Sequence, residues 1–367
     1  MINLKKYKNL IYVIMIFSLI IFTFSLVTSI ILTDYKNNRE LNALKNSETK
    51  YFKFTDSQKI SFDSLVQVLG DYNKSNIYLE YNPVPKYLQN NTLFGKSIYY
   101  NYNIDNKLPI LKGRAFTLDQ IKSNEKLILV GKNLTQYIIK ENGIDYFIID
   151  DIKYKVIGIL GNNSNKTGYD DTFLINMKSM DYYSDKRATW SLNVSNKIDL
   201  NNILKMYQKV GINNNTTLEF VSSDFNDKKI SIKDLLQNYQ DFIFIFEIVF
   251  GFGLLNLIIV VYFWIDKSVK EIGVRKAYGA TNFNIAKLIV IRYEIGVLIS
   301  VVIGITLHGF FRKVLTAMFP NFSFDIYIEN VTIATVIFML IGLLAAIIPL
   351  IKAREVQPII IMKGRLK

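Results

Sequence analysis

The chain has 367 residues, half of them hydrophobic, with 44 Lys and Arg against 31 Asp and Glu, a net charge of +13 and no cysteine. The lack of cysteine excludes a disulfide framework, a thiolate nucleophile and any Cys-ligated zinc or iron–sulfur centre; a single histidine, His308, excludes a histidine-rich metal site. A surplus of this size raises the question of a nucleic-acid partner, and the placement of the charges has to answer it.

Taken in order, residues 1–9 form a tail with three lysines, and residues 10–32 are 23 residues without a charged side chain. About 20 residues at a rise of about 1.5 Å cross a hydrocarbon core of about 30 Å, so this block is expected to be a transmembrane helix. Its apolar run exceeds that of a cleaved signal peptide and no small-x-small site follows it cleanly, which favours a retained anchor.

Residues 33–225 are expected to form an α+β domain. Strands are predicted over 75–81, 97–103, 126–131 and 189–194, and helices over 61–70, 132–140 and 198–210. Residues 145–160 read as a hairpin turning at Asp150 and Asp151, and Asn-rich clusters at 161–165 and 213–215 mark loops. The segment 161–167 loosely resembles a phosphate-binding loop. Its spacing is one residue short and Asn165 precedes the lysine where glycine is required, so it reads as a solvated turn and no nucleotide site is expected in this chain.

Residues 226–265 are predicted to be a helical stalk continuous with a second transmembrane helix over 242–265, whose one acid is Glu247. A third span is expected over 284–311 and a fourth over 331–351, joined by a short outer loop at 312–330, with a final tail at 352–367. Gly296, Ser300 and Gly304 recur every fourth residue, and small residues at that spacing let helix backbones approach, within the protomer or between two copies. His308, one step further, reads as an interfacial hydrogen-bonding residue and not as a ligand. Arg292 and Glu294 lie near the membrane boundary, where they can pair or snorkel. The adjacent acids Asp170 and Asp171 read as loop residues, because neighbours in an extended chain point to opposite faces.

The charges set the orientation. The 29 residues 266–294 carry six Lys or Arg against three acids and the final tail five against one, whereas the long connection 34–240 has 28 basic and 23 acidic residues. By the positive-inside rule both termini and the 266–283 connection are cytoplasmic and the large domain is extracytoplasmic. The positive surplus then records topology, and no nucleic-acid partner is expected.

The most informative segment is 271–281. Glu271 and Arg275 are i,i+4 partners on a helix, Ile272, Val274 and Tyr278 are placed to face the bilayer or neighbouring helices, and Gly279-Ala280 suits a helix stop. By physics alone the favoured reading is a solvated juxtamembrane loop held by its positive charge, with a short amphipathic helix along the membrane surface as the other. The sequence Glu271-Ile272-Gly273-Val274-Arg275-Lys276-Ala277-Tyr278-Gly279-Ala280 closely resembles the EIGxRxAxGA motif of FtsX/MacB-like ABC transporter permeases. Asn256 in the second span, the segment 343–349 with the tail 352–358, and two outer segments, 111–117 and 154–160, are similar to further features of that family. Lys267 and Lys270 stand where Arg is common, and Tyr278 where Leu is common.

The resemblance implies a membrane protein of the cell membrane with four transmembrane helices and a large MacB-like extracytoplasmic α+β domain between the first and second. It implies a permease subunit of the mechanotransmission type with no catalytic residue and no cofactor or metal of its own, ATP and Mg being bound by a cytoplasmic ABC ATPase subunit. Glu271, Ile272, Gly273, Arg275, Lys276, Gly279 and Ala280 would couple to that ATPase; Asn256, Gly296, Ser300 and Gly304 would serve helix packing or a homodimer or heterodimer with a second permease. The implied work is export or extraction of peptide, antibiotic, lipid or lipoprotein, with a membrane-fusion-type adaptor or an extracellular effector as a further partner. The alternative is an FtsX-like signalling module that activates a cell-wall hydrolase and transports nothing.

Overall fold

The computed structural model describes residues 11–87, 92–104, 107–180, 189–221, 232–319 and 322–355; the expected N-terminal tail, the start of the stalk at 226–231 and the tail beyond 355 lie outside them. The chain forms two units, one of residues 34–231 and one of residues up to 33 together with those from 232 onward.

The 34–231 unit is built on an eleven-stranded sheet. Its strands are β1 (Lys50–Phe54), β2 (Ile77–Tyr87), β3 (Thr92–Tyr100), β4 (Ile110–Gly113), β5 (Leu127–Gly131), β6 (Ile139–Glu141), β7 (Ile144–Ile149), β8 (Ile152–Leu160), β9 (Phe173–Asn176), β10 (Thr189–Val194) and β11 (Leu218–Phe220). The order is β11-β1-β10-β2-β3-β9-β5-β8-β7-β6, with β4 added on β8; β3/β9 and β5/β8 are parallel and the other pairs antiparallel. Helices α2 (Phe62–Gly70), α3 (Leu118–Lys122) and α4 (Lys197–Asn213) complete it.

Both faces of the central strands are buried, because alternate side chains enter two separate cores. Leu79 and Tyr81 of β2, Ile128 and Val130 of β5, and Phe173 and Ile175 of β9 join Trp190 and the inner faces of α2 and α4 in one core. Tyr78, Leu127, Leu129 and Leu174, their immediate neighbours, enter the other with Tyr100 and Phe116. Period-2 alternation with apolar residues at both phases gives this arrangement. The predicted hairpin is β7–β8: Ile149 faces Ile152, and Asp150 and Asp151 both have positive φ, 45° and 62°, as a two-residue type I′ turn requires. The helix expected over 132–140 is instead a short 3₁₀ segment, Lys132–Tyr137, followed by β6. Its apolar residues are too few for an amphipathic stripe, and Leu134 alone of the segment is buried.

The other unit is helical: α1 (Ile11–Leu41) as far as Thr33, α5 (Ile232–Asn238), α6 (Gln240–Ala277), α7 (Asn282–Met318) and α8 (Ile328–Glu355). Among the described residues α1, α7 and α8 are long and apolar enough to cross a membrane. The second predicted span, 242–265, lies within α6, a single helix of 38 residues. The stalk is not one straight continuation of it: Tyr239 leaves helical geometry (φ −105°, ψ 20°) between α5 and α6. Residues 266–277 likewise depart from the expected short helix. No separate surface helix forms there, because α6 runs through to Ala277 without interruption. Lys, Glu and Arg are good helix formers, and extending an existing helix is far easier than nucleating another.

Candidate functional site

At its C-terminal end α6 turns directly into α7. The amide of Gly279 donates to the carbonyl of Lys276 and that of Ala280 to the carbonyl of Arg275, both at 3.0 Å, and Gly279 has φ +85°. This is a Schellman stop, and the left-handed residue within it favours glycine. Thr281 then caps α7, its side chain accepting from the Asn284 amide at 3.2 Å. Four residues therefore connect two helices of about 57 and 55 Å, at about 1.5 Å per residue.

The inner face of this hairpin is built by ions as well as by packing. Arg292 of α7 donates to Glu271 through Nη2 at 2.7 Å and Nη1 at 3.1 Å, while Arg275 donates to Glu271 through Nη2 at 2.9 Å and Nε at 3.1 Å. The Arg292 side chain is 10% exposed, so its guanidinium depends on this carboxylate. Ile272 is buried in the helical core and Gly273 is buried beside it. Lys276 donates to the carbonyl of Arg354 at 3.1 Å, tying the end of α6 to the end of α8. The outer face is different: Val274, Tyr278 and Phe283 are 50%, 89% and 75% exposed, three large apolar side chains around one tight turn.

The small-residue row on α7 faces α1. Ser300 Oγ donates to the carbonyl of Ile14 at 3.1 Å, and a Cβ added at Gly304 would lie 2.8 Å from Ile21 Cγ2 and 3.0 Å from the carbonyl oxygen of Ser18. At Gly296 the nearest atom would be Ile14 Cγ1 at 3.7 Å. The seam thus lies within the protomer. One turn beyond it, buried His308 bonds Ser25 Oγ through Nδ1 at 2.6 Å and meets the carbonyl of Phe324 through Nε2 at 3.2 Å. Ser29 donates to the carbonyl of Asp325 at 2.5 Å, Arg312 pairs with Asp325, and Asn330 donates to the carbonyl of Ser25 at 3.4 Å. These bonds fasten the α7–α8 connection to α1. Asn256 takes no part in such packing: it is exposed and donates to the carbonyl of Phe252 on its own helix at 3.0 Å.

Residues 243–358 match the profile described as FtsX-like permease C-terminal. This stretch is an FtsX-like permease domain. The α6–α7 hairpin, the small-residue row and α8 all fall inside it. The chain is 24% identical over 261 residues to a putative hemin transport system permease protein HrtB of Staphylococcus epidermidis, covering 70% of this chain and 67% of that protein. It is 24% identical over 277 residues to the macrolide export ATP-binding/permease protein MacB of Wolinella succinogenes, covering 69% of this chain and 40% of that one. The extracellular domain of the noncanonic ABC-type transporter YknZ from Gram-positive bacteria aligns with 47% of this chain and all of its own, at 13% identity and a TM-score of 0.31.

Outside the FtsX-like domain, the two segments 111–117 and 154–160 are joined by the β4–β8 pairing, with Gly113 opposite Gly158. A Cβ at Gly113 would lie 2.3 Å from the carbonyl oxygen of Ile157, so the two strands meet where only hydrogen atoms fit between them. Gly113 to Leu118 also wall a cleft of about 570 Å³ floored by Tyr100, Ile104 and Ile110. The loop that resembles a phosphate cradle has the opposite polarity. Its carbonyls at Asn162 and Asn165 accept from Lys132 Nζ at 2.7 and 3.1 Å, and Asp170 pairs with the same ammonium at 3.1 Å.

Sequence reasoning placed Glu271 beside Arg275 but did not give it Arg292 as a partner, since 21 residues and a reversal of direction separate the two. It also passed over Phe283, whose place at the tip follows only from the tight turn. Equally hidden was Glu80, which is enclosed by Lys45 at 2.9 Å, Lys96 at 3.1 Å and the Tyr78 hydroxyl at 2.7 Å. Burial alone would raise its pKa; the two ammonium groups outweigh that and hold the carboxyl well below the usual carboxylate range.

Proposed function

We propose that this chain is the permease subunit of an ATP-driven transporter whose ATP is hydrolysed by a separate subunit docking on the α6–α7 hairpin. The observation that carries the proposal is the two-sided character of that hairpin. Its inner face is pinned by Glu271, Arg292 and Lys276, which makes it stiff, and its tip presents Val274, Tyr278 and Phe283 to solvent. Exposed apolar anchors on a rigid element are what a docking surface needs, because little order is lost on binding.

In this reading α6 is the second of four spans, both termini and the hairpin are cytoplasmic, and the sheet domain is extracytoplasmic. The 38 residues of α6 exceed the length of one crossing by roughly 18, so a push at the hairpin is carried by one rigid body through the bilayer toward α5. The coupling residues divide by role: Glu271, Ile272, Gly273 and Lys276 position the hairpin, Gly279 and Ala280 turn it, and Val274, Tyr278 and Phe283 touch the partner. Asn256, exposed on an apolar helix, suits the face toward a second permease, where a carboxamide finds a partner that lipid does not supply. The names of the relatives, hemin transport and macrolide export, support a bulky amphipathic cargo.

Co-purification with a candidate ABC ATPase subunit tests the reading. Tyr278→Ala with Phe283→Ala is expected to dissociate the complex and abolish permease-dependent ATP hydrolysis while the permease keeps its melting temperature. An intact complex with unchanged coupled hydrolysis would overturn it.

A further inference from the structure

Glu294 lies on α7 two residues beyond Arg292, and both of its carboxyl oxygens are buried without a hydrogen-bond partner among the described residues. The carboxyl is pressed against α8: a Cβ added at Gly342 would lie 3.2 Å from Glu294 Oε1 and 2.7 Å from Val297 Cγ2. Gly342 is the twelfth of the 21 charge-free residues 331–351. At about 1.5 Å per residue Gly342 stands about 15 Å from either end of that run, and on α7 Glu294 immediately precedes the charge-free stretch 295–311.

Among the described residues no hydrogen bond or ion pair reaches this carboxyl. On α7 the Arg292 guanidinium is engaged by Glu271, and Tyr293 is buried next to Glu294 in sequence. On α6 Arg275 is bound to Glu271 and Lys276 to the Arg354 carbonyl. On α8 Lys352 and Arg354 begin ten residues below Gly342, and α1 brings no charged side chain from Ile11 to Thr33. A carboxylate desolvated without a partner takes a proton instead.

We propose that Glu294 is a proton-binding site: a neutral carboxylic acid while α7 and α8 are packed, which releases its proton to water when the two helices part. The O–H bond breaks, water accepts the proton, and no other reactant is needed. Gly342 makes the site, because a side chain there would hold the helices apart and admit water. Proton occupancy is thereby linked to the separation of α7 and α8, and lowering the pH favours the packed arrangement.

Infrared difference spectra of the full-length chain in lipid nanodiscs test this. At about pH 7, where an ordinary glutamate is ionised, the wild type is expected to show the carbonyl stretch of a protonated carboxyl that Glu294→Gln lacks and Glu294→Asp displaces in frequency. Gly342→Ala, measured on the native Glu294, is expected to move the midpoint of band loss down by about one pH unit, a tenfold weaker hold on the proton. Absence of a Glu294-dependent band at about pH 7 would overturn the site. A midpoint that Gly342→Ala leaves unmoved would overturn its link to the helix seam.

Discussion

Glu271 and Arg292 join α6 to α7 through two hydrogen bonds of 2.7 and 3.1 Å, the carboxylate half-exposed and the guanidinium nearly buried. The asymmetry has a consequence for mutation. Removing Glu271 strands a buried cation, whereas removing Arg275, itself 44% exposed, leaves Glu271 with a better partner. Glu271→Ala is expected to cost about 2–3 kcal/mol and Arg275→Ala under about 1 kcal/mol. Thermal unfolding of the purified permease, read as the shift in melting temperature for each variant, checks the order.

The small-residue row predicts unequal tolerance along one helix face. Gly296→Ala meets nothing closer than 3.7 Å and should be nearly neutral, while Gly304→Ala meets Ile21 at 2.8 Å and a backbone oxygen at 3.0 Å. Because that oxygen belongs to α1, relief requires the helices to separate, at a cost of about 1–3 kcal/mol. Detergent resistance of the folded chain, followed by size-exclusion chromatography, should fall for Gly304→Ala and hold for Gly296→Ala.

Acid sensitivity of the sheet domain follows from Glu80. Its folded pKa lies below the unfolded value of 4.5, so its contribution to stability is fully present above that value and is lost as pH falls through the depressed folded pKa. Glu80→Gln should remove this acid-dependent component and, by leaving Lys45 and Lys96 buried opposite an amide, destabilise the domain by about 3 kcal/mol at neutral pH. In a Trp264→Phe background the buried Trp190 reports on this core, and its fluorescence during acid titration distinguishes the two chains.

At the hairpin tip, stability and coupling should separate. Tyr278→Ala and Phe283→Ala truncate exposed side chains and are expected to change stability by under about 0.5 kcal/mol. Each should weaken ATPase binding tenfold or more, the loss of about 1.4 kcal/mol that an anchor residue carries. Binding isotherms against the purified ATPase, taken beside melting curves, check both halves.

Much of this molecule was legible along the chain. Charge-free runs of 23 and 21 residues mark helices because lipid accepts no exposed backbone, and Gly279-Ala280 marks the stop of α6 because a Schellman turn favours a left-handed residue. The Asp150-Asp151 hairpin was readable for the same local reason. Other features were not. The continuity of α6 through 266–277 defeated the expectation of a separate helix, since charge content signals a membrane boundary but does not end a helix. The 3₁₀ segment at Lys132–Tyr137 escaped because six residues carry too little periodicity to tell one helix type from another.

The sequence by itself determined which segments are apolar, where the helices stop and which motif the chain carries, because these depend on neighbours within a few residues. Only the tertiary structure decided who meets whom: Glu271 with Arg292, Ser25 with His308, Glu80 with Lys45 and Lys96, Glu294 with the gap at Gly342. Each of these joins residues at least 16 positions apart in the chain. Their energies come from burial and from the loss of water around charge, quantities set by the packing of whole helices and strands and carried by no short stretch of sequence.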